Sequence, residues 1–177
     1  GNYELILIDN ASKDKKAIDF MKKSSDIYYR FNKRIDLAKA WNKGIELSSG
    51  KYVCIANNDT VVPKDWFGKL KKPFEKDKKC GMVSPLTLGN YNFGVENKRI
   101  KSIKNLIKLK RWNQGVWGEF LLFKKKILDE VRGFSEEYPI ASGEDIDILF
   151  TLYKKEYNIY INPKVFVYHE GGASSFV

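Results

Sequence analysis

Apolar runs that alternate with amphipathic segments are the feature that most constrains the fold of this chain. Residues 5–8 are continuously apolar and largely branched, and residues 52–56 repeat this pattern further along. Such runs are typical of strands that helices cover on both faces of a sheet. Between them, apolar side chains recur every three or four residues over 35–47, which predicts an amphipathic helix. The sequence therefore predicts an α/β sandwich with a mainly parallel sheet.

The remaining segments continue this alternation less regularly. A helix is predicted over 63–74, because Pro63 suits a first helical turn and apolar residues follow at helical spacing. Gly and Asn residues without periodicity predict a mobile surface loop over 87–99. Apolar residues on one side and lysines on the other predict a basic amphipathic helix over 100–111. Two short strands, at 159–161 and 165–168, are predicted to close the fold.

Composition limits the class of protein but does not identify a partner. The chain has 177 residues, of which 43% are hydrophobic and 14% aromatic, as expected for one folded domain. A formal net charge of +10 favours anionic partners, such as nucleic acid, phosphorylated small molecules or acidic membranes. No apolar stretch approaches the roughly 20 residues that span a bilayer, and no signal peptide opens the sequence. We therefore expect a cytoplasmic domain, in which Cys54 and Cys80 are buried, reduced thiols.

Polar clusters follow predicted strands or precede a predicted helix at three places. They are residues 9–12, 57–59 and 142–147. One such cluster is most simply a turn, because Asn, Asp and Ser side chains hydrogen-bond to the local backbone. In parallel α/β sheets, however, ligands bind where the strands end. Three clusters at such positions therefore favour a ligand-binding edge.

Asp59 and His169 are the candidates for a metal or phosphate site. Hard cations such as Mg²⁺ and Mn²⁺ prefer oxygen ligands and fill their other positions with water and substrate phosphates. Asp59 could hold such an ion, although one carboxylate alone would hold it weakly. His169 is the only histidine and follows the last predicted strand, where a structural or exposed role is also common. Residues 142–145 also fit a capping box for the next helix, a role compatible with catalysis.

Short motifs in a fixed order extend from Leu5 to Ser174, although each motif is weak by itself. The first half contains Asp-Asn-Ala-Ser-Lys-Asp (9–14), Ala-Trp-Asn-Lys-Gly (40–44), Ser-Gly-Lys-Tyr (49–52) and Asn-Asn-Asp-Thr (57–60). The second half contains Gly-Glu-Phe-Leu-Leu-Phe (118–123), Val-Arg-Gly-Phe-Ser-Glu (131–136), Gly-Glu-Asp-Ile-Asp (143–147) and Val-Tyr-His-Glu-Gly-Gly-Ala-Ser (167–174). This order resembles the family 2 glycosyltransferases, whose domain has the GT-A fold, a Rossmann-like sheet between helices.

The resemblance implies a site for a nucleotide sugar. Asp9 would contact the nucleotide base, Asp59 would be the carboxylate of the family's metal motif, and His169 would approach the same metal or diphosphate. The metal would be Mn²⁺ or Mg²⁺, and the donor a UDP-, GDP- or dTDP-sugar. The residues expected to bind the donor are Asp9, Asn10, Ser12, Arg34, Asn42, Asn58 and Asp59.

The resemblance also implies an acceptor side and a reaction. Asp145 would be the general base and Glu144 would orient groups nearby, although the two could exchange roles. The reaction would be an inverting displacement onto a hydroxyl of a glycan or lipid-linked acceptor, in cell-surface polysaccharide or glycoconjugate synthesis. Within one domain, residues 1–86 would bind the donor and residues 87–177 the acceptor. The residues expected on the acceptor side are Trp117, Gly118 and Glu119.

The sequence departs from the family pattern at two places. The family begins with one further strand and a Pro-x-Tyr-Asn-like segment, and nothing before Tyr3 supplies them. Because that strand lies inside the sheet, its absence would leave backbone groups unpaired, so we expect a fragment of a longer protein. The second departure is Arg34-Ile35-Asp36, where the family has an Asn-x-Gly turn. Arg34 would instead contact a phosphate.

Other functions compete with sugar transfer. A basic nucleic-acid-binding module would use the net charge and aromatic residues such as Trp112, Trp117 and Tyr153 to stack bases. No recognised nucleic-acid-binding motif accompanies these residues, so we do not expect nucleic acid as a partner. A nucleotidyltransferase on a similar sheet is a second alternative, but no Gly-rich phosphate loop opens the sequence. The basic segment 100–111 could contact the inner face of a membrane or simply be a solvated helix surface.

Overall fold

The computed structural model describes residues 3–89, 105–110, 116–139 and 143–170. The chain forms two compact units, one from Gly1–Val53 with Lys124–Ile148 and one from Cys54–Phe123 with Leu149–Val177. The predicted α/β architecture is confirmed, because strands and helices alternate along most of the described chain. No helix within these described ranges is long and apolar enough to cross a membrane. The assignment of donor and acceptor halves stays a prediction.

The first unit begins with a parallel pair of strands joined by a helix. Strand β1 (Ile6–Asp9) pairs with β2 (Ile27–Arg30), and helix α1 (Lys15–Ser24) connects them. The Asp14 side chain accepts a hydrogen bond from the backbone N–H of Lys16 at 2.8 Å, which caps the start of α1. Because parallel neighbours need a crossover connection, this order brings the end of β1 beside the end of β2.

Helix α2 (Leu37–Leu47) packs closely on β1. A Cβ atom at Gly44 would lie 3.4 Å from Cγ1 of Ile8, so the two backbones approach one another there. At the other end of the strand, Glu4 accepts a hydrogen bond from the N–H of Ser49 at 2.7 Å. The segment after α2 is therefore tied to the start of β1.

The last complete helix of the first unit, α5 (Lys125–Val131), ends in a left-handed turn. Arg132 and Gly133 have φ angles of 65° and 73°, and the N–H of Gly133 donates to the carbonyl of Leu128 at 2.8 Å. Such a C-terminal turn satisfies carbonyl groups that the helix leaves without partners. It also directs the following residues back towards α2.

A six-stranded sheet carries most of the second unit. Its strands are β3 (Tyr52–Ala56), β4 (Thr60–Val61), β5 (Cys80–Gly89), β6 (Ile107–Lys108), β7 (Phe120–Lys124) and β8 (Asn158–His169). Their order is β3-β7-β5-β8-β4, and β6 also pairs with β8. Strands β5 and β8 are parallel, whereas β7 pairs antiparallel with β5, and β4 and β6 pair antiparallel with β8. The sheet is therefore more mixed than the mainly parallel one expected.

Strand β8 is one continuous element, where two separate strands were predicted. Pro85 of β5 lies opposite Asn162, whereas the next residue, Leu86, lies opposite Phe166. Residues 163–165 of β8 thus have no partner residue in β5, and Pro163 falls in this irregularity, where it removes no ladder hydrogen bond. A bulge of this kind lets one strand pass through a proline and continue pairing.

Short helices cover the sheet of the second unit. They are α3 (Trp66–Leu70) and α4 (Lys72–Lys76), and the C-terminal part of α6 (Glu144–Lys154) also belongs to this unit. Leu70, Phe74 and Leu152 are buried beneath them, as are Val165 and Val167 on the inner face of β8. The outer residues of β8 that alternate with these valines are exposed. The alternation follows from the two-residue period of a strand.

Two sequence predictions are corrected here. The helix expected over 63–74 begins only at Trp66, after Asp65 with its left-handed φ of 60°. It is divided into two helices, because Pro73 cannot donate the hydrogen bond that would continue α3. The helix expected over 100–111 is wrong at Ile107 and Lys108, which pair with Ile161 and Tyr160 of β8. Pairing with a sheet edge overrides the helical spacing there. Residues 100–104 lie outside the described residues.

The predicted surface loop is also corrected at one end. Residues 87–89 continue β5 and pair with Val167, Tyr168 and His169 of β8, so they are not loop. Their neighbours in β8 provide the backbone partners that the local composition does not reveal. Residues 90–99, the rest of that prediction, lie outside the described residues.

Alanine at Gly81 should destabilise the protein, whereas alanine at Gly68 should not. Gly81 lies at a register shift in β5, and a Cβ there would approach Cβ of Tyr157 to 2.7 Å and Cδ2 of Leu152 to 3.2 Å. We expect Gly81→Ala to lower the free energy of unfolding by about 1–3 kcal/mol. Gly68 lies in α3, and no atom lies within 4 Å of the position that a Cβ would occupy there, so Gly68→Ala should raise stability by about 0.5–1 kcal/mol. Urea denaturation of both variants tests this, and an equal effect at the two glycines would contradict it.

Candidate functional site

A short turn at the end of β3 presents Asp59. The N–H of Asn57 donates to the carbonyl of Glu119 at 3.0 Å, and the Thr60 hydroxyl donates to the carbonyl of Asn57 at 2.7 Å. The carbonyl of Asp59 accepts from the N–H of Glu170 at 3.0 Å. Strand β4 begins at Thr60, which pairs with His169 at the end of β8. The backbone around Asp59 is therefore fixed from both neighbouring segments.

Four side chains meet at this turn, and we call them the Asp59 cluster: Asn57, Asp59, Glu119 and His169. Oδ1 of Asp59 lies 3.0 Å from Nε2 of His169, and Nδ1 of His169 lies 3.8 Å from Oε1 of Glu119. Nδ2 of Asn57 lies 3.4 Å from Nε2 of His169. The side chains of Asp59, His169 and Glu119 are 14%, 15% and 22% exposed. The cluster is thus largely shielded from water.

The geometry of Asp59 and His169 fits two neighbouring ligands of a divalent cation. Ligands at about 2.1 Å from an octahedral ion lie about 3 Å apart when they are adjacent, which is close to the separation of this pair. The same distance also suits a hydrogen bond. Among the described residues, no group of three or more His, Cys, Asp or Glu side chains is placed to hold a metal ion. Any such ion would therefore take its other ligands from water and from the phosphates of a substrate.

Asp9 lies at the centre of a separate hydrogen-bond network in the first unit. Its Oδ1 accepts from the N–H of Ser12 at 2.7 Å, and its Oδ2 accepts from the Tyr28 hydroxyl at 2.6 Å and from Arg30 at 3.0 Å. Arg30 also donates to the carbonyl of Ser12 at 2.8 Å. The Asp9 side chain is 0% exposed. Both of its oxygens are thus used to hold the turn after β1, at whose tip Ala11 has a left-handed φ of 63°.

This network controls the ionisation of Asp9. Burial acts to raise the pKa of Asp9, but hydrogen bonds from Tyr28 and Ser12 and the charge of Arg30 outweigh it and lower the pKa below its usual value. The ionised carboxylate is therefore the form that the native state prefers. Tyr28 shows the reciprocal effect, because burial and its hydrogen bond to Asp9 raise the pKa of the phenol.

Asn10 connects the same turn to the segment before α2. Its Nδ2 donates to the carbonyl of Ile35 at 2.8 Å, and its Oδ1 accepts from the N–H of Ile35 at 2.8 Å. The side-chain amide thereby pairs with one residue as a neighbouring strand would. Arg34, whose side chain is exposed, precedes Ile35, so Asn10 fixes the backbone beside that arginine. The structure brings Asp9, Asn10, Ser12 and the Arg34 backbone into one region.

Asn42 joins α2 to the turn that follows α5. Its Oδ1 accepts from the N–H of Phe134 at 2.8 Å, and its Nδ2 donates to the carbonyl of Phe134 at 2.8 Å and to Glu136 at 2.9 Å. A Cβ at Gly133 would lie 2.4 Å from Oδ1 of Asn42, so the glycine makes room for the amide. Trp41 packs against the ring of Phe134 at 4.8 Å between centroids. The amide of Asn42 therefore holds the turn after α5 against α2, in addition to its predicted role in donor binding.

The acidic pair predicted to act on the acceptor lies at the first turn of α6. Glu144 is 5% exposed, whereas Asp145 is half-buried and its Oδ1 accepts from the N–H of Ile146 at 2.8 Å. Asp147 on the same turn accepts from the Tyr138 hydroxyl at 3.3 Å. Ser142, the proposed capping residue, lies outside the described residues. The roles of Glu144 and Asp145 stay predictions.

The other predicted residues are distributed around the Asp59 turn. Asn58 is exposed at its tip, and Trp117, which is 46% exposed, lies two residues before Glu119. Sequence reasoning assigned Glu119 to the acceptor side, whereas the structure places it beside His169. It did not single out Asn57, Tyr28 or Arg30. Asn57 was detectable as the first residue of the Asn-Asn-Asp motif, but Tyr28 and Arg30 contact Asp9 only because β1 and β2 pair in parallel.

Comparison with known proteins identifies the family. A model of the glycosyl transferase family 2 matches residues 1–132. The chain belongs to this family. The match covers Asp9 and the Asp59 turn, whereas Glu144, Asp145 and His169 lie beyond it. No curated protein matches the chain.

Solved glycosyltransferase structures share the fold of this family member. GalNAc-T7 with UDP, GalNAc and Mn²⁺ superimposes with a TM-score of 0.76 at 16% identity, over 98% of this chain and 38% of that one. Residues 1–349 of S. aureus TarS in complex with UDP-GlcNAc give 0.71 at 14% identity, over 98% and 52%. The expected GT-A fold is confirmed. The chain spans between two-fifths and about half of the length of these proteins.

The Asp9 network predicts a specific loss of stability in acid. Because the pKa of Asp9 is lowered in the folded state, its contribution is present above the pKa of the unfolded chain, about 3.9, and is lost as pH falls through the lower folded value. Asp9→Asn should lower the free energy of unfolding at neutral pH by about 1.5–3 kcal/mol. The substitution should also reduce the fall in the free energy of unfolding that we expect for the native sequence as the pH decreases.

Urea denaturation at several pH values from neutral to about pH 3 measures both effects. Asp19→Asn is the matched control, because Asp19 is an exposed carboxylate on α1 of the same unit. Equal pH profiles for the two variants would show that Asp9 is not the group whose ionisation stabilises this unit.

Proposed function

We propose that this chain carries the donor site and the acceptor side of a metal-dependent, inverting glycosyltransferase that uses a UDP-sugar. The Asp59 cluster carries the proposal, because it joins a carboxylate and an imidazole at the end of a sheet, 3.0 Å apart. Family membership favours sugar transfer over the nucleic-acid-binding and nucleotidyltransferase alternatives. UDP in the two related structures supports uridine as the nucleotide, and Mn²⁺ in GalNAc-T7 supports a divalent metal.

Within this proposal, Asp59 and His169 would hold the cation at the donor diphosphate. When bound, the metal would neutralise negative charge that develops on the departing diphosphate. Glu119 faces the other ring nitrogen of His169 at 3.8 Å, so its carboxylate would orient the imidazole, as carboxylates beside ligating histidines commonly do. The turn around Asp59 would thus present one carboxylate oxygen and one ring nitrogen to the same ligand.

The nucleotide would lie on the turn after β1. Asp9, Asn10 and Ser12 shape this turn, and Asp9 would act largely by holding it, because both of its oxygens already accept hydrogen bonds from the protein. Arg34 would contact a phosphate with its exposed guanidinium. Asn42 and Asn58 complete the donor residues of the proposal. A rigid turn would bind a nucleotide at a smaller entropic cost than a flexible one.

Asp145 would remove the proton from the acceptor hydroxyl as that oxygen attacks the anomeric carbon. The bond between this carbon and the diphosphate oxygen breaks in the same step, the nucleoside diphosphate leaves, and the configuration at the carbon inverts. Glu144 would orient Asp145 or the acceptor, and Trp117 and Gly118 would line the acceptor side. Four features stay predictions. They are a glycan or lipid-linked acceptor, a role in cell-surface polysaccharide or glycoconjugate synthesis, contact with the inner face of a membrane, and a cytoplasmic location.

Removal of the Asp59 carboxylate should abolish the metal's contribution to nucleotide binding. Isothermal titration with UDP, with and without Mn²⁺, measures this contribution directly and needs no acceptor. We expect Mn²⁺ to strengthen UDP binding by the native sequence, and Asp59→Asn to lose this gain, a weakening of at least about tenfold. Asp65→Asn should retain it, because Asp65 is an exposed carboxylate before α3 with no side-chain cap bond. Undiminished Mn²⁺-dependent binding in Asp59→Asn would refute the assignment.

Replacement of the proposed base should remove turnover while leaving donor binding intact. Hydrolysis of a UDP-sugar, with water as the acceptor, would be measured as UDP release and requires no knowledge of the natural acceptor. Asp145→Asn keeps the shape of the side chain but cannot take the proton, and it should slow release by about 10²–10⁴-fold. The affinity for UDP should remain that of the native sequence. Asp147→Asn, on the same helical turn, is the comparison variant. Slow UDP release in Asp147→Asn together with normal release in Asp145→Asn would assign the role of base to Asp147.

A further inference from the structure

Helix α1 presents an exposed phenylalanine between two exposed lysines, and we call these three residues the α1 stripe: Lys16, Phe20 and Lys23. They recur at positions i, i+4 and i+7, so they lie along one side of the helix. At 1.5 Å per residue the two lysines are about 10 Å apart along the helix axis, with the ring between them. None of these side chains has a part in the proposed chemistry.

The other side of α1 attaches the helix to the first unit. Ala17, Ile18 and Met21 are half-buried there, where the helix contacts β1 and β2. The Asp14 cap fixes the start of the helix. Its end is fixed by Ser25, whose N–H and hydroxyl both donate to the carbonyl of Met21. The α1 stripe is therefore carried on a helix that is held at both ends.

Phe20 is the apolar member of the α1 stripe, and its side chain is 69% exposed. It is the only aromatic residue of the helix. Large aromatic side chains are commonly buried, although a single exposed ring is also normal on a protein surface. The significance of Phe20 therefore depends on the groups beside it.

The lysines around Phe20 carry charge that the described part of the chain does not balance. Four of them are exposed, and their ammonium groups have no ion pair, hydrogen bond or ring partner among the residues that the structure describes: Lys13, Lys15, Lys16 and Lys23. The fifth, Lys22, lies 5.7 Å from the ring centroid of Tyr28, an interaction that leaves its charge in place.

The acids of this segment are fewer than its lysines. Asp14 caps the helix, and Asp19 is exposed on its surface. Residues 13–23 thus contain five lysines and two aspartates, an excess of three positive charges. The next acid, Asp26, accepts a hydrogen bond from the N–H of Leu5 at 2.7 Å, and counting it still leaves an excess of two. An anionic partner would balance this excess.

The convex surface of a helix suits a broad anionic surface better than a small ligand. A ten-residue helix is about 15 Å long and about 10 Å wide, a small part of the roughly 800 Å² that each partner buries in a specific protein complex. A second copy docked on the same side would bring like charges together. An anionic bilayer requires neither a cleft nor a matching shape.

The order lysine, ring, lysine also matches the chemistry of a bilayer surface. Lysine side chains lay their aliphatic stems along apolar surface and keep the ammonium group in water. In helices that lie on membranes, aromatic rings enter the boundary between head groups and acyl chains, while lysines attract anionic lipids. The phosphate backbone of a duplex nucleic acid would attract the lysines but would offer no apolar partner to Phe20.

We propose that α1 is a contact surface for anionic lipid membranes, with Phe20 in the head-group region and with Lys16 and Lys23 at lipid phosphates. Each basic residue near an anionic surface strengthens binding by about fivefold, so a few lysines and one ring give a weak, reversible contact. The contact goes beyond the proposed function and does not depend on it.

Sedimentation with lipid vesicles tests the proposal. Vesicles of phosphatidylcholine and phosphatidylserine would be compared with vesicles of phosphatidylcholine alone. We expect the protein to bind the anionic vesicles, with an affinity that falls as salt rises. The double variant Lys16→Gln/Lys23→Gln should weaken binding by about tenfold to thirtyfold. Phe20→Ser should weaken it by about threefold to tenfold while leaving the binding of inorganic polyphosphate unchanged.

One substitution should strengthen binding, a result that misfolding would not produce. Asp19 lies on the same helix, three residues after Lys16 and four before Lys23, and its exposed carboxylate repels an anionic surface. Asp19→Asn should therefore strengthen binding to the anionic vesicles by about fivefold. Unchanged or weaker binding in Asp19→Asn would overturn the proposal.

A second double variant separates the α1 stripe from general charge attraction. Lys72→Gln/Lys76→Gln removes the same two charges from exposed lysines of α4, between which Phe74 is only 5% exposed. Its vesicle binding should equal that of the native sequence. An equal loss in both double variants would overturn the proposal, as would equal binding to neutral vesicles. So would tighter binding to a single-stranded oligonucleotide or to polyglutamate, if the α1 double variant lost that binding instead.

A nucleotide measurement distinguishes this proposal from the proposed function. All variants should bind UDP with Mn²⁺ as the native sequence does, because their substitutions lie outside the donor residues. Loss of vesicle binding with normal UDP binding supports the α1 stripe. Absence of UDP binding in every protein, with vesicle binding that depends on the stripe, would remove the proposed function and leave the membrane contact.

Discussion

The antiparallel pairing of two-residue strand β4 with the end of β8 is the interaction on which the candidate site depends. It places Thr60 opposite His169, and the bond from Glu170 to the Asp59 carbonyl extends the pairing by one residue. Asp59 and His169 are far apart in sequence, and no local preference would bring them together. Their 3.0 Å contact follows from this backbone register. A slip of one residue would turn the imidazole to the other face of the sheet.

That register in turn depends on how β8 accommodates Pro163. A central strand with a proline normally loses a ladder bond and is weakened. Here the partner strand β5 shifts register between Pro85 and Leu86, so residues 163–165 bulge out and the pairing resumes at Phe166. The resumed part carries Val167 into the core and leads to His169. The bulge therefore lets one strand serve two ends of the sheet: the pairing with β6 near its start and the Asp59 cluster at its end.

The sequence predicted the elements whose signals are local, and missed those created by pairing. The runs at β1 and β3 and the helical spacing of α2 were sufficient to predict the α/β class, and the order of the motifs led from there to the GT-A fold. Strand β4 was not predicted, because two residues show no periodicity, and β6 was taken for helix because Ile107 and Lys108 fit a helical pattern as well. At the site, Asp59 and His169 could be chosen by residue type and position at strand ends. Tyr28 and Arg30 could not, since only the parallel register of β1 and β2 brings them to Asp9.

The charge of the Asp59 cluster supplies an argument for a cation that is independent of family likeness. Two carboxylates, Asp59 and Glu119, face the two nitrogens of one imidazole at 3.0 and 3.8 Å, and all three side chains are mostly buried. Carboxylate oxygens are the ligands that hard divalent cations prefer, and a carboxylate that is partly shielded from water interacts with a cation more strongly than an exposed one. A divalent cation at the Asp59 side would meet a carboxylate oxygen and a ring nitrogen, and a diphosphate would in turn complete its coordination. Metal and diphosphate should therefore bind together more strongly than either binds alone, as expected of a site that must also release its product.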